Sequence, residues 1–104
     1  MLDKSAAREI ALRYATVVRK TMNPKTIVLF GSYVNGVPNE NSDIDIAVVF
    51  SDFCGNWLDA AAYLCSLKRQ VSLDIEPHMM DEASDPSGFL EHIMKTGEII
   101  YEAT

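Results

Sequence analysis

Apolar and polar residues alternate along this chain in patterns that predict three helices and four strands. Helices are predicted over residues 3–22, 56–69 and 85–97, because apolar residues recur there at helical spacing after an Asp, Ser or Asn that can cap the N-terminus. Strands are predicted where short apolar or alternating runs occur, over residues 26–30, 43–50, 71–76 and 98–101. This order predicts the α+β class, with one small domain over residues 1–104 whose mixed β-sheet is covered by helices.

The alternating strands place acidic residues on one side. In residues 43–50, Ile44 and every second residue after it form an apolar face, so Asp43 and Asp45 project together from the other face. In residues 71–76, Asp74 likewise lies opposite an apolar face, and Pro77 is expected to end the strand. The sequence therefore predicts three aspartates on two strands of one sheet.

Composition and charge restrict the possible partners. No apolar run approaches the length of a membrane span and the N-terminus does not read as a signal peptide, so a cytoplasmic protein without a membrane partner is expected. The net charge of −6 opposes the attraction on which binding of long nucleic acids depends. Cys54 and Cys65 lack the spacing of a zinc site or a disulfide framework. Homo-oligomers remain possible.

The aspartates suggest a site for divalent cations. Carboxylates at i and i+2 on a strand have β-carbons roughly 6–7 Å apart, and a cation between them removes their repulsion. Oxygen ligands from Asp43, Asp45 and Asp74 suit Mg²⁺ or Mn²⁺, and such a cluster suits two-metal phosphoryl chemistry. Gly31 and Ser32 form a turn whose backbone can approach phosphate oxygens. Taken singly, an Asp-x-Asp pair is more often a solvated strand end, and a Gly-Ser turn usually only ends a strand.

The combined pattern resembles the nucleotidyltransferase signature of the DNA polymerase beta superfamily, and the small size resembles its minimal nucleotidyltransferase (MNT) domains. That signature is a Gly-Ser turn, a second glycine and then Ser-Asp-x-Asp, here Gly31, Ser32, Gly36, Ser42, Asp43 and Asp45. The resemblance implies a nucleotidyltransferase fold, metal ligation and catalysis by Asp43, Asp45 and Asp74, and contacts from Gly31, Ser32, Gly36 and Ser42 to the nucleotide.

The resemblance also implies an activity and a partner. Many MNT domains are antitoxins beside a small helical HEPN protein, so transfer of AMP from ATP, or NMP from another NTP, to a hydroxyl of that protein is expected. Family members often carry an arginine just before the second glycine, where this chain has Asn35. An antitoxin that only docks therefore stays an alternative, and modification of an aminoglycoside-type small molecule is a weaker one. Glu76 is a second candidate for the later acid, and His78 is given no role.

Overall fold

A computed structural model describes residues 3–103 of the chain, in which four α-helices and four strands alternate and a short 3₁₀ helix (Lys68–Gln70) follows the third α-helix. The helices are α1 (Lys4–Arg19), α2 (Ser32–Asn35), α3 (Trp57–Leu67) and α4 (Phe89–Thr96). The strands are β1 (Thr26–Phe30), β2 (Ile44–Phe50), β3 (Ile75–Asp81) and β4 (Glu98–Glu102). Within residues 3–103, the longest helix has 16 residues, and no helix is long and apolar enough to cross a membrane.

The strands form one mixed sheet in the order β3-β2-β1-β4. β1 pairs antiparallel with β2 and with β4, whereas β2 and β3 run parallel. The register aligns Asp45 of β2 with Phe30 on one side and with Glu76 on the other. The mixed sheet confirms the sequence prediction.

The sheet is covered on both faces, and the two faces of β2 belong to different cores. Ile44, Ile46, Val48 and Phe50 pack in the cluster that includes the buried residues of α1 and α3. Ala47 and Val49 pack with α4 on the opposite face, together with Val28 and Phe30 of β1. Asp45 shares the face of Ala47 and Val49, as the alternation along β2 predicts.

Hydrogen bonds from polar side chains to the backbone cap α1 and α3 and link these two helices to each other. The carboxylate of Asp3 accepts a hydrogen bond from the amide of Ala6 (2.7 Å), and the Asn56 side chain accepts one from Asp59 (2.9 Å). Both are N-caps of the predicted kind. Between α1 and α3, the buried hydroxyl of Tyr14 donates to the carbonyl of Leu64 (2.7 Å).

Three predicted boundaries are wrong. β3 begins at Ile75 rather than at residue 71, and it continues through Pro77, which a strand at the edge of a sheet tolerates. α4 begins at Phe89 after Gly88, although the Asp85 carboxylate still accepts hydrogen bonds from the first amides of this helix. The Gly-Ser turn continues directly into a short helix, α2, which is not among the three helices predicted from the apolar pattern.

Candidate active site

A group of three possible metal ligands forms at the end of the sheet where β2 and β3 begin. One ligand atom each from Asp45, Glu76 and His78 lies within 4.8 Å of the others. Nε2 of His78 lies 3.2 Å from Oδ1 of Asp45. Because an ionised carboxylate can only accept, this hydrogen bond requires the proton on Nε2.

The parallel register explains why these residues meet. Asp45 is aligned with Glu76, and Ala47 is aligned with His78, so residues 45, 76 and 78 project from one face of neighbouring strands. The His78 ring packs edge-on against Phe30, with ring centroids 5.0 Å apart. β1 thus fixes the imidazole against the Asp45 carboxylate.

Asp43 completes a concentration of negative charge around Glu76. Partial burial is the largest cause that raises the pKa of Glu76, although the residue as a whole is exposed. His78 opposes this shift, whereas the charge of Asp45 and a side-chain contact with Asp43 add to the rise in pKa. Repulsion among Asp43, Asp45 and Glu76 would be relieved by a divalent cation, and their carboxylate oxygens suit Mg²⁺ or Mn²⁺.

Asp74 is not one of the three residues whose ligand atoms meet. It lies in the exposed turn before β3, where its amide donates to the Ser72 hydroxyl (3.1 Å) and its carbonyl accepts from Ile44 (2.8 Å). The expectation that Asp74 lies in mid-strand is therefore wrong. Glu76, two residues later, occupies the register position beside Asp45.

The turn after β1 brings backbone close to this acidic group. Gly31 has φ +83° and ψ −154°, which is a conformation almost confined to glycine, and a β-carbon there would overlap Oδ2 of Asp45. The amides of Val34 and Asn35 bond back to the Gly31 carbonyl, so those of Ser32 and Tyr33 precede the first bonds of the turn. The Gly-Ser segment and Asp45 are therefore neighbours.

The other two predicted nucleotide-binding residues shape the loop between β1 and β2. Gly36 ends α2 so close to Ser32 that an added β-carbon would lie 3.3 Å from the Ser32 α-carbon. Ser42 forms a turn with Asn39, whose amide donates to the Ser42 hydroxyl (2.9 Å). Tyr33 is buried in the core, so it packs beneath the loop.

Comparison with known proteins identifies the class of this fold and site. Residues 14–104 match the family described as Polymerase beta, Nucleotidyltransferase, and the chain belongs to this family. Among solved structures, a chain of a toxin–antitoxin complex with AMP-PNP is 27% identical, with a TM-score of 0.66 over 89% of this chain and 74% of that chain. A chain from the complex of tri-AMPylated Shewanella oneidensis HEPN toxin with MNT antitoxin is 23% identical, with a TM-score of 0.64 over 93% of this chain and 73% of that chain.

Two curated relatives are similar in sequence. The protein adenylyltransferase MntA of Shewanella oneidensis is 32% identical over 75 residues, which are 72% of this chain and 52% of MntA. A protein of Methanocaldococcus jannaschii is 37% identical over 64 residues, or 62% of each chain. The chain thus spans between about half and three-fifths of the length of these relatives. The resemblance drawn from the motif residues is confirmed, and so is the nucleotidyltransferase fold.

His78 is a residue of the candidate site that is not predicted from the sequence, and Glu76 is predicted only as a second candidate. A signal for both was present, because Glu76, His78 and Met80 alternate on one face if the strand is allowed to continue through Pro77. An edge position makes that continuation possible, but the strand order is not visible in a single sequence.

Proposed function

We propose that this chain transfers AMP from ATP to a hydroxyl of a protein partner, as the antitoxin of a HEPN/MNT pair in the cytoplasm. The observation that carries this proposal is the contact between the Gly31 turn and Asp45, which itself lies beside Glu76 and His78. The similarity to MntA, whose name is protein adenylyltransferase, supports a protein as the acceptor.

Asp43, Asp45 and Glu76 are the residues we assign to metal binding, in preference to Asp74. The cation would be Mg²⁺ or Mn²⁺, and when bound it would neutralise phosphate charge and polarise the phosphoryl oxygen. The His78 hydrogen bond holds the Asp45 carboxylate in one orientation, which is the usual role of a group hydrogen-bonded to a metal-binding carboxylate. Glu76, on the edge strand β3, would receive the proton of the acceptor hydroxyl.

The Gly31-Ser32 turn would hold the triphosphate on the β1 side of Asp45, opposite to Glu76 on β3. Its backbone approaches Asp45 without an intervening side chain, and the Ser32 and Tyr33 amides begin the turn. In this arrangement the α-phosphate would lie beside both the turn and the acids. Attack by the acceptor hydroxyl would form its bond to phosphorus as the bond to pyrophosphate breaks. Gly36 and Ser42 contribute by fixing the loop that closes this turn.

A second candidate is an antitoxin that neutralises its partner by docking alone. The observation that favours it is Asn35, an exposed neutral residue where many family members have an arginine. Without that positive charge the triphosphate loses one electrostatic contact, which lowers nucleotide affinity or transfer rate.

The position of a radiolabel in ATP distinguishes AMP transfer from docking alone. The purified chain is incubated with a HEPN-type partner, Mg²⁺ and ATP labelled at either the α- or the γ-phosphate. AMP transfer predicts that the partner retains α-label and no γ-label, that Asp45→Asn abolishes labelling, and that Asp59→Asn, at an exposed acid on α3, preserves it. Neutralisation of the partner without any label, by wild type and Asp45→Asn alike, would establish docking alone.

A further inference from the structure

An apolar cleft of about 760 Å³ opens beside β3, next to the acidic group. Its wall is formed by β3, by the segment that leads into α4, by the first turn of α4 and by the first residue of α3. The residues that define it are His78, Met79, Met80, Trp57, Phe89 and Leu90. Its volume falls within the range of binding sites for small molecules or for a few side chains of a protein partner.

The cleft exists because α4 covers only part of its face of the sheet. Leu90 and Ile93 of α4 pack over β1 and β2, in the cluster that includes Val28 and Ala47. β3 lies beyond them at the edge, so Met80 is only partly buried although it points to the same face. The uncovered strip of β3 is the floor of the cleft.

His78 connects the cleft to the reaction centre. The same side chain that contacts Asp45 lines the cleft, so a ligand in the cleft would reach the acids without crossing another element. The strand order places the Gly31 turn on the β1 side of Asp45 and the cleft on the β3 side. If the triphosphate lies at Gly31, the space on the β3 side remains for the molecule that receives the AMP.

The lining favours an apolar ligand with basic neighbours. Trp57 is 39% exposed and Phe89 46% exposed, and these large side chains offer the contacts that dominate protein recognition. Trp57 is held in place by Phe53, with ring centroids 5.7 Å apart. Asp81 and Asp85 add negative charge, and no Lys or Arg occurs among the lining residues in the described part of the chain.

We infer that this cleft binds an apolar segment of the protein acceptor, flanked by basic side chains, and presents its hydroxyl to Glu76. The inference rests on the proposed function for the identity of the reaction. It adds the surface that selects the acceptor. Trp57 and Phe89 are specificity residues in this scheme, whereas Asp43, Asp45 and Glu76 act on the reacting atoms.

Trp57 is the only tryptophan of the chain, so its fluorescence reports occupancy of the cleft directly. The probe is a capped pentapeptide with a central tyrosine, leucines on either side and lysines at both ends, and the control peptide has serines for the leucines. We expect the leucine peptide to change Trp57 emission saturably and to bind at least about tenfold more tightly than the serine peptide. Phe89→Ala should remove most of that difference.

Two controls separate the cleft from the fold and from the nucleotide site. Leu58→Ala changes a neighbouring residue that is 78% exposed and does not line the cleft, so peptide binding should be unchanged. Met80→Ala tests a second lining residue, on the same face of β3 as His78, and should also weaken binding of the leucine peptide. Melting temperatures establish that each variant is folded. Calorimetry with AMP-PNP and Mn²⁺ should give affinities for wild type and Phe89→Ala that agree within about twofold.

The outcomes are distinct for the cleft and for the chemistry. Equal binding of both peptides, or no saturable change in Trp57 emission, overturns the inference. A comparable loss of AMP-PNP affinity in Phe89→Ala overturns it as well, because the cleft would then hold the nucleobase. Selective peptide binding without any AMP transfer supports the cleft and counts against the proposed chemistry. If Phe89→Ala transfers AMP to the partner at an unchanged rate, the proposed chemistry is supported and the role of the cleft in binding the acceptor is overturned.

Discussion

The carboxylate of Asp45 occupies the space that a β-carbon at position 31 would need. This contact joins the turn after β1 to the first acid of β2, so the proposed phosphate-binding backbone and the proposed metal ligand have a fixed relation. The glycine is required twice, by its positive φ and by the closeness of the acid.

Gly31→Ala should damage both stability and metal binding. The forbidden backbone conformation costs about 1–3 kcal/mol, measured by urea denaturation. Displacement of the Asp45 carboxylate should weaken Mn²⁺ binding about tenfold or more, measured by calorimetry. Gly88→Ala is the matched control, because Gly88 also has positive φ (74°) but open space where the β-carbon would lie. It should lose stability and keep its Mn²⁺ affinity, and equal Mn²⁺ loss in both variants would contradict the role of the contact.

Glu76 and Asp74 can be compared directly as the third acid. Glu76→Gln should lower AMP transfer by at least about 100-fold, because it removes the proton acceptor and a carboxylate beside Asp45. Asp74→Asn makes the equivalent change in the turn before β3 and should leave the rate nearly unchanged. The measurement is the initial rate of α-label transfer at saturating ATP. The reverse ranking would restore Asp74 as the catalytic acid.

Asp81 stabilises the loop after β2 through its carboxylate, which accepts hydrogen bonds from the amides of Asp52 (3.0 Å), Phe53 (2.6 Å) and Ala83 (2.8 Å). The Phe53 bond is the largest cause that lowers the pKa of Asp81 below its ordinary value of 3.8. Because the pKa of Asp81 is lower in the folded protein, its carboxylate stabilises the fold fully at pH values above 3.8. This stabilisation is lost as the pH falls through the lowered pKa.

We therefore expect Asp81→Asn to reduce the urea midpoint at pH 7. The difference from wild type should shrink as the pH falls below 3.8 and through the lowered pKa of Asp81, because the wild-type carboxyl then becomes neutral like the amide of the variant. Glu40→Gln, at an exposed loop acid, serves as control and should change little at either pH. A difference that stays constant with pH would show that the ionised carboxylate is not what holds the loop.

Tyr14 provides the corresponding test at high pH. Tyr14→Phe removes the buried hydrogen bond to Leu64 and should cost about 1 kcal/mol in the free energy of unfolding at pH 7. Burial, and secondarily Cys65, raises the pKa of Tyr14 above its ordinary value of 10.0. Wild type should therefore lose more stability than Tyr14→Phe as the pH rises above 10.0, so the difference in the free energy of unfolding between them narrows. Tyr63→Phe, which removes an exposed hydroxyl bond, should be nearly neutral.

The sequence predicts most of the sheet because local patterns and burial agree there. β1 is buried on both faces and is apolar from Ile27 to Phe30. β2 alternates between two cores in the register that its Ile and Val residues require. Asp43 and Asp45 could therefore be placed on one face without knowledge of any other element. The N-caps at Asp3 and Asn56 are likewise local, since each side chain bonds an amide three residues away.

The third acid could not be placed in this way because it depends on pairing between distant segments. Residues 71–76 alternate as a strand would, but the Ser72 hydroxyl binds the Asp74 amide and keeps Asp74 in a turn. His78 becomes a site residue only through Phe30 and Asp45, which lie 48 and 33 positions earlier in the chain. These contacts follow from the parallel pairing of β2 and β3, and a single sequence does not state which strands are neighbours.

Pro77 in the middle of β3 has a consequence for how copies of this chain meet. An outer strand is a template for further chains, which add through its unpaired amides and spread into aggregates. Proline carries no amide hydrogen, and a strand accepts it where the nitrogen faces away from the neighbouring strand. A strand that paired with β3 would therefore lack one backbone hydrogen-bond donor in the middle of the edge, which disfavours fibre-like stacking. The side chains on the adjoining face of the sheet remain available to bind other molecules.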